Sequence, residues 1–471
     1  MSGTFGGLNT ATSALWAQQR GLDVTGQNVA NVNTEGYSRQ RAELQSVGGN
    51  PVPAIWSVSK DVGQGVNADT VIRIRDAFLE ARAQAESGRT ASLTVHDTTL
   101  AQIEQAFREP GETGIQAKLT DVFKSWGDLA SNPTEDGART AVLQKTATLV
   151  AEFRTTDAAL DKAWTQTRSA LDVLADDVNT TIAQVAQLNT AIKKATQTGL
   201  PSNELADQRD ALVLKLSQTI GATSSKGDFG TVDVAVGGAT LISGSSSTGL
   251  RVVGTSDPLA VTGTDPRLVT DPGGTTVTPG GTGGGQLTAL RETIPGYRAR
   301  LDGVAQRLAD EFNSAHTAGV DKTGAPGGAL FDDGAGALTG ITAKTLTLAI
   351  SDTRRLAAAD GSTAPTPTTD NRNAMAIAKL QSSPDGTAVA YRQLIVQLGV
   401  DASVATGNLK TQTVVASQVE ASREAVSGVN LDEEMTNMLR FQHGYSAAAR
   451  MITTIDETLD VLINRTGRVG L

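Results

Sequence analysis

The chain has 471 residues, a formal net charge of -10 and a pI near 5.0. No local cluster of Lys and Arg offsets that acidity, which excludes the phosphate neutralisation that nucleic-acid binding needs. Cysteine is absent, so neither disulfides nor thiolate metal sites are available, and no apolar run reaches membrane-spanning length. Only 4% of residues are aromatic, so the cores must be built from aliphatic helix stripes. The length suggests about three domains. The first charged residue is Arg20 and no apolar core precedes it, so the expectation is a chain without a secretory signal peptide. It would be cytoplasmic and soluble, or exported by a machine that reads an unfolded N-terminus.

In chain order, Thr4 to Val32 reads as a helix. A walk of alternating three and four residues gives Thr4, Leu8, Ala11, Leu15, Gln18, Leu22, Thr25, Val29 and Val32, a thin seam of small residues roughly 40 Å long. Asn33 to Tyr37 ends it, with Gly36 able to supply a positive φ. Tyr37 to Leu44 reads as extended, and Val66 to Ile74 alternates as a half-buried strand. Asp76 caps a helix from Ala77 to Phe107, and a short helix covers Ile115 to Ala130. From Leu143 to Ala195 the same walk is mostly apolar, a rod roughly 80–90 Å long, closed by Gly199 and Pro201. A further helix runs from Asn203 to Ile220.

Between Ala222 and Gly285 the chain becomes rich in Gly, with short β-type runs at Thr231–Val236, Thr240–Ser243 and Leu250–Val253. Gly273 to Thr276 and Gly280 to Gly285 read as flexible loops. Helix returns from Gln286 to Thr317, seamed by Leu290, Ile294, Leu301, Val304, Leu308 and Phe312. A glycine-rich turn spans Gly319 to Phe331, a strand Thr345 to Ile350, and a Pro/Thr linker Thr363 to Pro367. Helices follow over Ala374–Leu380 and Thr387–Val426, with Gly428 before the last one.

That last helix, Asn430 to Gly467, carries the sharpest pattern. Its seam reads Leu431, Glu434, Met438, Phe441, Tyr445, Ala448, Ile452, Ile455, Leu459 and Leu462, apolar or aromatic at every stop but Glu434. Asn430 and Glu433 suit a cap and a capping box. Asp432, Glu433 and Glu434 favour the start of the dipole, Arg465 and Arg468 its end, and Gly467 stops the helix. It is roughly 50 Å long and cannot bury its own stripe. The N-terminal helix, thin where this one is bulky, is the expected partner, so the two ends of the chain should lie side by side.

Catalytic chemistry is not expected. His96, His316 and His443 are scattered, without a second ligand at helical spacing. The acidic residues suit solvated helix faces. Gly280 to Gly285 lacks the Lys-Ser/Thr of a phosphate loop, and no nucleophile or acid–base constellation is present. The expectation is a protein that is not an enzyme and holds no cofactor or metal.

The segment Leu22 to Gln40, LDVTGQNVANVNTEGYSRQ, resembles the N-terminal signature of bacterial flagellar axial proteins, those of rod, hook and junction. Asn28, Asn31, Asn33, Gly36, Tyr37 and Arg39 carry the match. Glu204–Gly221, Leu287–Phe331 and Phe441–Gly467 resemble the hook-associated protein 1 family of that group, at the hook–filament junction; 222–285 and 335–368 do not. The resemblance implies unfolded export through the flagellar type III apparatus and assembly beneath a cap at the distal end of the hook. It implies copies of the same chain as neighbours, hook protein below, the second junction protein above, and a cytoplasmic chaperone on the C-terminal helix before export.

The expected architecture is mainly α with an inserted β domain. Residues 1–36 with 431–471 form a terminal coiled-coil domain. Residues 37–220 with 287–334 and 369–430 form a helical rod, and 221–286 with 335–368 a β-rich outer domain. The expected assembly interface comprises Leu8, Leu15, Leu22, Asn28, Asn31, Asn33, Gly36, Tyr37, Met438, Phe441, Tyr445, Ile452, Ile455, Leu459 and Leu462. Neither nucleic acid nor membrane insertion is expected. An exported adhesin with a ligand-binding β insert is the alternative, but it would not need both termini to pair. Ordering a residue costs roughly 1–2 kcal/mol, so a pair with a thin seam should be mobile in the monomer, over Ser2–Asn33 and Leu431–Leu471.

Overall fold

The computed structural model describes residues 4–48, 63–260, 265–360 and 368–465. The expected linker Thr363–Pro367, and Gly467 and Arg468, lie outside them. The fold is mainly helical with small antiparallel sheets, as expected. Helix α1 (Thr4–Ala30) leads through Gly36, at φ +79° as a turn there demands, into β1 (Gln40–Ser46) and β2 (Val66–Arg73). These strands pair antiparallel, Gln40 opposite Arg73. Asp76 starts α2 (Ala77–Phe107) by accepting from the Phe78 and Leu79 amides, the capping inferred from its side chain.

Helices α3 (Ile115–Ser131), α4 (Asp136–Thr198) and α5 (Asn203–Ile220) follow. At 63 residues, α4 is a spine roughly 95 Å long. Its expected seam from Leu143 to Ala195 is buried throughout, except for half-buried Thr167, Leu174, Leu188 and Ala195. Gly199, at φ 72°, ends it.

Strands β3 (Thr223–Lys226), β4 (Val232–Val236), β5 (Ala239–Ser243) and β6 (Ser246–Ser247) form one sheet in sequence order. Strands β7 (Gly249–Val253), β8 (Arg267–Asp271) and β9 (Thr276–Val277) form a second. Two asparagines fasten them to the spine. Asn179 exchanges both of its amide bonds with the Leu250 backbone, and Asn189 accepts from Val232 N while donating to Val232 O and Gly244 O. Strand-edge groups that would otherwise lack partners are thereby satisfied.

The glycine run Gly280–Gly285 is not a loop. It opens α6 (Gly281–Thr288), whose Gly281, Gly283 and Gly285 are buried. The cause is steric: a Cβ on Gly285 would lie 2.7 Å from Val95 Cβ and 2.9 Å from Ser92 O of α2. These glycines let helices approach closely, and that outweighs their poor intrinsic helix propensity. A π turn over Ala289–Thr293 joins α6 to α7 (Ile294–Thr317). The expected seam of this stretch is buried in full, and Trp164 of the spine donates to Leu290 O at 2.9 Å. Arg298 forks onto Asp157 at 2.8 and 3.1 Å, a bidentate pair that neutralises a buried charge.

The strand expected at Thr345–Ile350 shrinks to β12 (Thr347–Leu348), paired with β11 (Phe331–Asp332), while β10 (Gly319–Val320) pairs with β13 (Ala359–Asp360). This module rests on the first half of α4, through Arg139 to Leu356 O and Arg154 to Leu346 O. The β3–β9 insert rests on the second half. Among the described residues the two share no sheet. Helices α8 (Arg372–Lys379), α9 (Thr387–Ser427) and α10 (Leu431–Asp460) complete the chain.

Candidate assembly site

Helices α1 and α10 pack antiparallel. Gly7 meets Ile455, Gln18 meets Gly444, Gly21 meets Phe441 and Asn28 meets Glu434, one unbroken register along the pair. Small residues of α1 admit large ones of α10: a Cβ on Gly21 would come within 2.5 Å of the Phe441 ring. The α1 seam differs from the expected one. Ala11, Ala17, Gly21, Val24, Thr25 and Asn28 are buried, whereas Leu8, Leu15 and Leu22 are half-buried. Helix α1 is covered on two sides, by α10 and by the β1–β2 hairpin, where Val66 N donates to Ser13 Oγ.

On α10 only Glu434 and Ala448 are fully buried. Met438, Phe441, Ile452, Ile455 and Leu459 are half-buried, while Tyr445 and Leu462 are exposed. Trp16 on α1 and Leu431, Met435 and Leu439 on α10 are also exposed, Trp16 at 66%. One chain therefore covers only part of its own terminal seam.

At its base the pair is closed by polar groups. The Asn28 amide accepts from Gln40 N and Tyr37 Oη and donates to Gln40 O and Glu434 Oε2, all at 2.9–3.0 Å. Both lone pairs and both hydrogens are used, the full capacity of the group. Asn28 thus acts inside the chain, joining α1, β1 and α10. Asn31 is local: it donates to Gln27 O and accepts from Thr34 Oγ1. Asn33 and Gly36 lie exposed on the loop.

Arg39 spans the joint. Its side chain pairs with Glu434 at 2.7 Å and Glu433 at 2.6 Å, and its amide donates to Ser427 O at the end of α9. Asn430 caps α10 as expected, accepting from the Asp432 and Glu433 amides. Beneath lies a second layer: Ser38 donates from Oγ and N to Asp207, Arg73 reaches Asp207 and Asp210 at 2.8 Å, and Arg75 pairs with Asp210 and Glu80. Burial would raise the Asp210 carboxyl, but Arg209, Arg75 and Arg73 hold it below the ordinary range. The Tyr37 hydroxyl is driven well above its usual value by burial, then by Asp207, Glu204 and Glu434, so it remains a donor. Sequence reasoning passed over Glu434, Ser38, Arg73 and Asp207. The available signal was Glu434 itself, the lone polar stop in an apolar seam.

Nothing here forms a reaction centre. Among the described residues no three side chains are placed to hold a metal, and no helix is long and apolar enough to cross a membrane. A model of the flagellar hook-associated protein FlgK helical domain matches residues 100–331, one of the flagellar basal body rod FlgEFG protein C-terminal region matches 423–465, and one of the flagella basal body rod protein matches 8–37. The last two fall on the paired terminal helices. Flagellar hook-associated protein 1 of Bacillus subtilis (strain 168) is 31% identical over the whole of both chains.

The chain belongs to the flagellar hook-associated protein 1 family. The member from Escherichia coli (strain K12) is 27% identical over 97% of this chain and 99% of its own. The solved flagellar hook junction protein FlgK of Burkholderia pseudomallei shares the fold, with a TM-score of 0.63 over 74% of this chain and all of its own, at 18% identity. As a family member the chain is a structural component of the flagellum, not an enzyme. The polar joint ties the terminal pair to the β1–β2 hairpin, α5 and the end of α9.

Proposed function

We propose that this protein joins hook to filament. The observation that carries the reading is the antiparallel terminal pair, locked at its base by Asn28, Arg39 and Glu434 and left half-covered along its length. Such a pair offers Leu8, Leu15, Leu22, Tyr445, Leu462 and the exposed Trp16, Met435 and Leu439 to neighbouring copies. Residues 1–36 with 431–471 act as the tube-forming unit, the α2–α9 helices as the body, and the two β patches as the outer surface. The chain is exported unfolded through the flagellar type III apparatus, a chaperone covering the α10 stripe beforehand. Once outside it contacts copies of itself, hook protein below and the second junction protein above. The test is motility and filament attachment in cells whose only copy lacks residues 442–471. Loss of attached filaments is expected; normal filaments would overturn the proposal.

A further inference from the structure

The turn Asp228–Gly230 holds a bulky residue where glycine is at home. Phe229 sits at φ 54°, ψ 36°, where its Cβ crowds the following carbonyl, and it is 54% exposed. The turn is held by other groups. Gly230 O accepts from buried Arg209 at 2.7 Å, and Thr231 donates to Asp228 O from N and Oγ1. None of these bonds uses the ring. Lys193 Nζ lies 5.8 Å from the ring centroid. Lys194 follows on the same helix and Lys226 precedes the turn, both exposed; Asp228 and Asp233 are the acidic residues of this knob. A strained backbone with an exposed aromatic and basic neighbours points to a contact.

A groove of about 800 Å³ lies between the Thr34–Tyr37 loop, α4 and α5. Leu188, Ala211 and Leu212 give it an apolar floor, while exposed Glu35 and Glu204 make its rim acidic; Asp207 at its base is already paired with Arg73. On α4, Leu188 and Lys193 are five residues apart, roughly 140° around the helix. Knob and groove therefore point away from each other and cannot meet within one chain.

We propose that the Phe229 knob of one copy seats in this groove of the next copy, ring on the apolar floor and Lys193, Lys194 and Lys226 against Glu35 and Glu204. The contact joins two different faces, so it repeats from subunit to subunit and builds a ring or helix rather than a closed dimer. It rests on the reading of the chain as an axial subunit and adds the lateral contact.

The chain has no cysteine, so introduced thiols report unambiguously. Phe229→Cys and Ala211→Cys, differently tagged, are expressed together and the isolated flagella are oxidised. A disulfide-linked dimer carrying both tags is expected, with only monomer when either variant is expressed alone. Flagella that contain both variants but yield no mixed dimer, or that yield equal dimer from Phe229→Cys alone, overturn the knob-and-groove contact and leave the axial reading standing. Absence of the chain from isolated flagella overturns both.

Discussion

Glu434 is an acid on an apolar stripe, and only its partners explain it. Buried to 2% exposure, it takes a hydrogen bond from Asn28 and an ion pair from Arg39. Removing it would leave both without their partner in a desolvated site. Breaking a buried pair costs about 3–5 kcal/mol; Arg39 keeps some contact with water and with Glu433, so roughly 2–3 kcal/mol is the expected loss. In Glu434→Ala, amide exchange across Thr25–Asn28 should accelerate roughly 30-fold to 150-fold, with Gln intermediate because it still accepts from Asn28. Unchanged exchange in the Ala variant would show that the joint is held by packing alone. The sequence made Asn28 an expected assembly-interface residue; in the structure its four bonds run to Gln40, Tyr37 and Glu434 of its own chain, which single-sequence spacing could not show because it does not reveal which distant groups arrive.

Among elements, the module between α7 and α8 is tied in part by a histidine. His316 is fully buried; its Nδ1 faces Gly328 O at 2.6 Å and its Nε2 accepts from Ala357 N at 2.9 Å. That arrangement requires the neutral ring with its proton on Nδ1. Burial pushes its pKa down, with the Gly328 carbonyl and Asp321 opposing weakly. The unfolded chain thus binds the proton first, and stability is full above about 6.5, the ordinary histidine value, and falls as pH drops below it toward the lowered folded value. Urea titrations should show this acid loss in the native chain and a flatter profile in His316→Gln; identical profiles would remove His316 as the cause. The helices of this region were legible because their stripes repeat every three to four residues over long runs. Helix α6 was not, since glycine normally signals a loop and here marks where α2 presses against Gly285. Of the two-residue strands only β12 fell within a legible run; β10, β11 and β13 carry no periodicity to read, being set by the loops that Asn313 and His316 gather.

For the whole molecule, the contrast lies between a body with one continuous core along α4 and a terminal pair whose distal seam is half-open. Burying a large apolar side chain contributes about 1.5–3 kcal/mol, and ordering a residue costs roughly 1–2 kcal/mol. Half-covered Ile452, Ile455 and Leu459 therefore leave the far end of the pair near balance, while the Asn28–Arg39–Glu434 joint anchors the near end. Opening should be graded. In dilute monomer, amides around Gly7 and Ile455 exchange fast, those near Asn28 and Glu434 more slowly, and those of Phe153 to Val185 on the spine slowest. In assembled flagella the distal amides should become protected, because neighbouring copies then cover the stripe. A gradient of this kind would keep free chains from polymerising before they reach the growing tip, since the surface that binds a neighbour forms only beside one. Strong, uniform protection of both termini in dilute monomer would mean that the pair is complete without neighbours, and assembly would have to be timed by something other than the order of its ends.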